Sequence, residues 1–527
     1  MRDSGNIYFL PSNTSFVTSW VRERLLTGEF RRTAVGALAL ILILTLGLAA
    51  GCGSNATTGT GGGPIPGEST EVTLVASSTA NDQLTRFSLF LNSLTLTNKA
   101  GTSVTLISAP QQVEFMHLNG GAEPVLTVSV PQDVYTSATA TVGAASFTCA
   151  VQQNNSDTTA TYAYGYTLNT QVTTNLPEPL TVEGGTMAVS LNLQVSQSAT
   201  FPSTCYYDGI AQFSITPTFN LAAMTVAAQP TNTNNGRMTG LEGFVAFTGG
   251  TANSFTVDSP DATNAFEIST SGSVVNSAAT VWNVTTNSST VFQGIANLAG
   301  LTAGMPVDFD GELQPDGSLV ATRVAVADPD TTDLVVNSGP LMQVEAAYPI
   351  VDQVSRESEG SEQYVDGWPQ YNFSNTTFAM WGGLSNVASL PFAASFSGTN
   401  MMAGQMVAMT SHVTQPGGAP VAVPATTVTL MPQTVDATVD AVATQGGFTT
   451  YAVTLAGYDM FPQFAVQSGQ TTVLTNPTQM VVYADQNTQV LSGGATAGNP
   501  ARFTGVVFND NGTLRMDCSQ VMAGVTE

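Results

Sequence analysis

Apolar and polar residues alternate in short runs along most of this chain. Phe87, Leu89 and Leu91 alternate with Ser88, Phe90 and Asn92, and Leu94 and Leu96 alternate with Thr95 and Thr97. A period of two places each set on its own face of a strand. Asn98-Lys99-Ala100-Gly101 then turns the chain into Val104-Thr105-Leu106-Ile107, a predicted hairpin. Further strands are predicted at 113–118, 125–130, 138–147, 160–168, 187–195 and 210–218. No long stretch beyond Cys52 carries the i, i+3, i+4, i+7 apolar period with strong helix formers. The pattern therefore predicts an all-β protein.

Beyond a polar linker at 223–240 the chain repeats itself. Ala303-Gly304-Met305-Pro306-Val307-Asp308-Phe309-Asp310-Gly311 matches Ala497-Gly498-Asn499-Pro500-Ala501-Arg502-Phe503-Thr504-Gly505, and Ala403-Gly404-Gln405-Met406-Val407 is a weaker copy. Turn residues follow at Pro315-Asp316-Gly317 and Asp510-Asn511-Gly512. Gly304, Gly404 and Gly498 lie 100 and 94 residues apart, so each repeat is a whole small domain and not a solenoid turn. The predicted order is a β-sandwich over 72–222, then β repeats over 241–330, 331–432 and 433–527.

The N-terminal region differs. Arg31-Arg32 precede an apolar run from Ala34 to Leu48, which closes on Ala49-Ala50-Gly51-Cys52. A basic pair, an apolar core and small residues before a cysteine form a secretory signal over 1–51, with Cys52 as the mature N-terminus. This segment resembles bacterial lipoproteins, and the resemblance implies lipidation of Cys52 and an exported protein anchored to the outer membrane or cell surface. The competing reading is an uncleaved membrane helix. Met1 to Phe30 is long for a region preceding a signal core and reads as a misassigned start. Residues 52–71 contain Thr57-Thr58-Gly59-Thr60-Gly61-Gly62-Gly63-Pro64, a flexible tether spanning roughly 25 Å as a coil.

Charge narrows the class of partner. Five of the 12 Lys+Arg and three of the 37 Asp+Glu precede Cys52, leaving 7 against 34, or near −27, with Lys99 the only lysine. Such a surface has no phosphate-neutralising face, which excludes nucleic acid as the expected partner. Polarity comes instead from Thr, Ser, Asn and Gln, which suits sheets with one hydroxyl-rich face. Cys149 and Cys205 fall within one predicted domain and are expected to form a disulfide worth about 4 kcal/mol in an oxidising compartment. Cys518 is left over, and its plainest reading is a buried thiol in the last strand.

Two further resemblances bear on fold. Phe87 to Leu94, then Phe115-Met116-His117-Leu118-Asn119-Gly120, then Pro131-Gln132-Asp133-Val134-Tyr135 resemble the domain-of-unknown-function family 4382, whose members look like prealbumin-type or Ig-like sandwiches. The glycine of that family's Pro-x-Gly-x-Tyr turn is replaced here. Leu301-Thr302-Ala303-Gly304 through Asp316-Gly317-Ser318-Leu319-Val320-Ala321-Thr322-Arg323-Val324 resembles a second such family, 5666, which implies small OB-like or barrel-like repeats. Neither family carries an established activity, so no catalytic residue is implied.

Candidate chemistry is sparse. Asp308, Asp310 and Glu312 share one strand face opposite Val307, Phe309 and Leu313, and read as a solvated face. The corresponding residues are Ala408, Thr410 and His412, then Arg502, Thr504 and Val506, so His412 is expected to be exposed and His117 half-buried among its apolar neighbours. Asp328, Asp330 and Asp333 are the metal candidates, with calcium as the cofactor, against a default reading as a polar linker. The loop from Arg356 to Asp366, followed by Trp368, Tyr371, Phe373 and Trp381, would make a sugar platform, a partner site or core caps. Gly-x-Ser-x-Gly, HExxH and phosphate-cradling loops do not occur. The expected function is a non-catalytic envelope lipoprotein, acting as a surface, adhesion or scaffold component with an envelope protein or glycan as partner. The alternatives are a carbohydrate-binding protein using the Trp368 to Trp381 region and, third, a hydrolase.

Overall fold

A computed structural model describes residues 63–524, apart from internal segments of which the longest are 201–213, 225–236 and 259–280. The lipidation candidate Cys52 and the signal region lie outside the described residues. The fold is all-β, a two-sheet sandwich followed by barrel-like units. Among the described residues no helix is long and apolar enough to cross a membrane.

In the sandwich, Ser69–Ser78 pairs with Glu123–Pro131 on one side and Thr186–Leu193 on the other, and Phe219–Ala223 closes that sheet's edge. The facing sheet is built on the long strands Leu84–Asn98 and Asp133–Gln152. The alternation of Phe87, Leu89 and Leu91 places all three in the core between the sheets. Leu94 and Leu96 are buried as well, although Leu94 follows Leu91 by three positions, an odd step that would put it on the other face. The pairing shifts register between Leu91 and Ser93, and this bulge returns the next apolar set to the same face. Tyr135 Oη donates to the Pro131 carbonyl at 2.9 Å, and Gln132 Nε2 donates to the Gly184 carbonyl at 2.8 Å, which ties this connection to the turn leading into Thr186–Leu193.

Among the described residues beyond the linker there are three large sheets, and a two-stranded pair of Tyr371–Asn372 with Val423–Pro424. In the first, Arg237–Thr248, Ser254–Asp258, Val281–Thr285, Leu319–Ala325 and Pro306–Leu313 pair in a ring, with Val291–Gln293 added alongside Leu319–Ala325. The last repeat closes the same way through Gln433–Gln445, Phe448–Leu455, Gln479–Leu491, Thr513–Ala523 and Pro500–Asp510. Between them the sheet of Val335–Gln343, Met406–Ser411, Thr427–Leu430 and Thr377–Met380 stays open. Its apolar core is completed by Val506 and Phe508 of the last barrel, while its Met402 enters that barrel's own core. The first barrel likewise shares its core with Val75 and Ala188 of the sandwich.

One turn recurs in all three sheets. Gly304, Gly404 and Gly498 have φ of 84°, 92° and 83°, a left-handed conformation that glycine adopts without a Cβ penalty. Their N–H groups donate to Val245 O, Leu341 O and Val439 O at 2.8, 2.7 and 2.8 Å. Each of those acceptor residues sits where its strand's register shifts, so a bulge accompanies the turn every time. Phe309, Met409 and Phe503, each five residues after its glycine, are fully buried. Gly311 and Gly505 occupy matching bulges, where a Cβ would come within 2.9 Å of Val320 O and 2.2 Å of Asp517 O.

One expectation is corrected here. The face carrying Asp308 and Asp310 points out of its barrel but is not a solvated face. Asp310, Thr410, Arg502, Thr504 and Val506 are all buried, because neighbouring elements cover these faces. His412 is not free-standing either: its Nε2 lies 3.1 Å from Asp328 Oδ2. Periodicity separates the two faces of a strand, but it does not tell which neighbour covers the outer one.

Candidate functional site

Neighbouring strands of the first barrel set three charged residues on one outward face. Asp310 and Arg323 are register partners, and Asp308 lies two residues before Asp310 on the same strand. Arg323 Nε donates to Asp310 Oδ2 and Nη2 to Asp308 Oδ1, both at 2.7 Å. Asp310 Oδ1 also accepts from Gly240 N at 2.9 Å. Burial disfavours the Arg323 charge, but the two carboxylates outweigh it and hold the guanidinium protonated. Burial pushes the Asp308 carboxyl above its ordinary value; Arg323 pulls it back, and the Asp310 charge adds to the rise.

This cluster faces the open sheet of the second repeat. The guanidinium carbon of Arg323 lies 5.2 Å from the Trp381 ring centroid, a cation–π contact between the two repeats. Gln293 Nε2 donates to the Gly382 carbonyl at 3.3 Å across the same junction. A Cβ on Gly382 would fall 1.6 Å from Gln293 Oε1, so a larger residue there would displace the end of the glutamine side chain. Beside these contacts opens a cleft of about 290 Å³, with Glu242, Gln293 and Asp308 on one wall and Thr377, Trp381 and Thr429 on the other.

The expected site residues scatter. Tyr371 and Trp381 share the core of the second repeat and present no exposed platform: Tyr371 is wholly buried with its hydroxyl bonded to Asn337, and Trp381 is 2% exposed. Trp368 lies outside the described residues. Asp328 is buried and accepts from Asp330 N at 3.0 Å as well as facing His412, while Asp330 is exposed and Asp333 lies outside the described residues. Among the described residues no group of three or more His, Cys, Asp or Glu side chains is placed to hold a metal ion. The Cys149 side chain, Cys205 and His117 lie outside the described residues. Cys518 is buried in the last strand, its thiol donates to Gln520 O at 3.1 Å, and burial pushes its pKa well up, as befits an inert structural thiol.

Sequence reasoning passed over Arg323, Gln293 and the pair Asp436–Arg502. Arg502 Nε and Nη2 donate to Asp436 Oδ1 and Oδ2 at 2.7 and 2.8 Å. Arg515 Nε similarly holds Asp510 Oδ2 at 2.6 Å. The available signal was scarcity: with so few cations in the chain, an arginine inside an apolar strand is placed for a carboxylate.

The model of one family, "Domain of unknown function (DUF5666)", matches residues 242–325, which span most of the first barrel and its charged cluster. No curated protein matches the chain. Among solved structures, a deletion mutant of the single-stranded DNA binding protein from Thermus aquaticus aligns over 37% of this chain and 95% of its own. The identity is 14% and the TM-score 0.13, too low to indicate a shared fold.

Proposed function

We propose that this chain is a non-catalytic bacterial envelope lipoprotein, exported and anchored through lipid on Cys52, that serves as a surface, adhesion or scaffold component. In this reading the sandwich over 72–222 is a member of the family 4382, and 241–330, 331–432 and 433–527 are the three β repeats. Its partner is an envelope protein or glycan and not nucleic acid, and it requires no cofactor.

The observation that carries the reading is the state of the carboxylates. Asp308 and Asp310 share Arg323, Asp436 is clamped by Arg502, Asp510 by Arg515, and Asp328 faces His412. A glycosidase needs a pair of carboxyl groups free to pass a proton and to meet water or the anomeric carbon. Side chains locked into ion pairs hold strands together instead, and Asp517, which has no cation beside it, is buried within the strands of the last barrel. The shared cores between consecutive units support the same view, since units that complete one another's cores move little against one another.

Fractionation of cells expressing Cys52→Ala tests the anchor: the variant is expected in the soluble fraction. Retention in membranes would mean an uncleaved helix and would overturn the lipoprotein reading. Cross-linking of intact cells is expected to recover a defined envelope partner with the wild type.

A further inference from the structure

We propose that Asp517 and the loop beginning at Asp485, both in the last barrel, form a calcium site. The envelope role does not require this site, and the site does not rest on that role. In Thr513–Ala523, Met516 and Cys518 enter the barrel core, so Asp517 between them points outward. Its register partners are Val506 on one side and Tyr483 on the other. Ala484 is in the core as well, which returns Asp485 to the outward face that carries Tyr483 and Asp517. The pairing of these two strands then breaks, and it resumes only at Gln489 opposite Gln520. Residues 485–488 therefore bulge out beside Asp517.

The bulge is built from oxygen-bearing side chains. Asp485 Oδ1 accepts from Asn487 N at 2.7 Å and Oδ2 from Asn487 Nδ2 at 3.2 Å, while Thr488 Oγ1 donates to Cys518 O at 2.7 Å and ties the bulge to the last strand. Gln520 uses Nε2 on Gln489 Oε1 at 3.1 Å and keeps its own amide oxygen. Asp485 is half-buried and Gln486 and Asn487 are exposed, so the bulge is the way in from solvent.

Asp517 is what points to a ligand. It is 6% exposed, and its Oδ2 has no hydrogen-bond partner. The arginines on this face are committed elsewhere, Arg515 to Asp510 and Tyr483, and Arg502 to Asp436. A buried carboxylate with neither donor nor cation is costly to keep charged, and the Asp485 charge adds to that cost. A cation between the two carboxylates removes both penalties.

The donors select the ion. Two carboxylates and an amide oxygen, with water on the open side, suit calcium, which takes oxygens only, at about 2.3–2.6 Å. At that distance the ion sits closer to an oxygen than a hydrogen-bonded water does, so a site too tight for water still admits it. Zinc prefers nitrogen and sulfur, and the Cys518 thiol is in the core, bonded to Gln520 O. Magnesium demands a near-ideal octahedron and dehydrates reluctantly, which a bulged loop serves poorly. A monovalent ion would leave one carboxylate charge unanswered.

The test is calorimetric titration of calcium into the full-length chain in detergent, stripped with chelator, at mildly alkaline pH and in salt that screens the acidic surface. A single site is expected, with a dissociation constant of about 0.1–1 mM, the range of extracellular calcium modules. Calcium is also expected to raise the melting temperature, and magnesium to do neither. Asp517→Asn removes the buried ligand charge and is expected to weaken calcium binding about tenfold or more. Asp485→Asn, on the half-exposed bulge, is expected to do the same and carries the test if Asp517→Asn fails to fold. Asp330→Asn is expected to leave binding unchanged, which separates this site from the acids around Asp328. The proposal is overturned if the wild type binds no calcium, if magnesium binds as tightly, or if either folded variant, Asp517→Asn or Asp485→Asn, binds calcium like the wild type.

Discussion

The first and last barrels share a strand plan, a bulge and a glycine turn, yet they treat the same outward face in opposite ways. Glu242, Asp308 and Asp310 of the first correspond by register to Asp436, Arg502 and Thr504 of the last. In the last barrel Arg502 grips Asp436 in a forked pair, and Thr434 bonds Thr504 beside it at 2.9 Å. In the first, one guanidinium serves two carboxylates and one of them opens onto a cleft. The barrel core tolerates little change, since Phe309 and Phe503 fill it identically, whereas the outer face is free to become either a sealed joint or an open one. The balanced pair marks the sealed joint and the unbalanced triad the open one.

The largest effect is expected where the balance is worst. Arg323→Met would leave Asp308 and Asp310 facing each other with no cation, and removing one member of a buried ion pair costs about 3–5 kcal/mol. Without the guanidinium the Asp308 carboxyl rises further above its unfolded value. The folded state then gains on protonation: the variant should be closest to wild type below about pH 4 and lose ground as pH rises through the folded-state pKa. Urea melts at acidic and at mildly alkaline pH would show this. Equal deficits at both would break the claim that two unneutralised carboxylates cause the loss.

Arg502→Met should cost somewhat less, about 3 kcal/mol, because it strands one carboxylate. The double variant Asp436→Leu, Arg502→Met should recover most of that loss, since a buried pair replaced by apolar residues of similar size is often neutral. Arg323→Met combined with Asp310→Leu should recover only part, because Asp308 remains. Full recovery in both barrels would erase the distinction drawn between them.

Much of the fold was legible from alternation. The sandwich core of Phe87, Leu89 and Leu91, and the motif glycines with their phenylalanines, follow from period and spacing alone. Barrel-like repeats were implied by the resemblance to family 5666, but the opening of the middle sheet was not legible, because its core depends on Val506 and Phe508 reaching across from another repeat. The candidate site was less legible still. Asp308 and Asp310 stand out as a same-face pair but read as solvated, since a strand's outer face looks polar whether water or a neighbour covers it. Trp381 stands out for its ring, while its place beside Asp308 and Arg323 depends on a contact spanning some sixty residues of chain.

A smaller effect concerns Asp517, buried at the joint between the last barrel and the second sheet, with Oδ2 unpaired. Burial, with the Asp485 charge adding, raises its pKa from 3.8 to about 7. A carboxyl raised on folding favours the native state below its unfolded pKa, and that advantage is lost as pH climbs through about 7. Wild type should therefore lose stability between about pH 4 and 7 in a way that Asp517→Asn does not, by on the order of 1–3 kcal/mol. The last barrel would then depend on pH through Asp517, as the first does through Asp308, whose carboxyl is raised by burial even with Arg323 beside it. Parallel pH profiles for wild type and Asp517→Asn would reassign the dependence to other groups.

The smallest expected difference compares two copies of the recurring turn. Gly404 and Gly498 both hold left-handed backbone, so alanine at either should cost about 1–2 kcal/mol from backbone strain alone. A Cβ at Gly498 meets nothing within 4 Å. At Gly404 it would lie 3.0 Å from Phe461 Cδ1, a ring fully buried in the core of the last barrel. Gly498→Ala should thus show the strain alone, and Gly404→Ala the strain plus the displacement of Phe461. The second should also weaken the joint between the middle sheet and the last barrel, visible as earlier proteolysis between them. Equal costs for the two alanines would mean that Phe461 yields freely and that this joint is looser than its shared core implies.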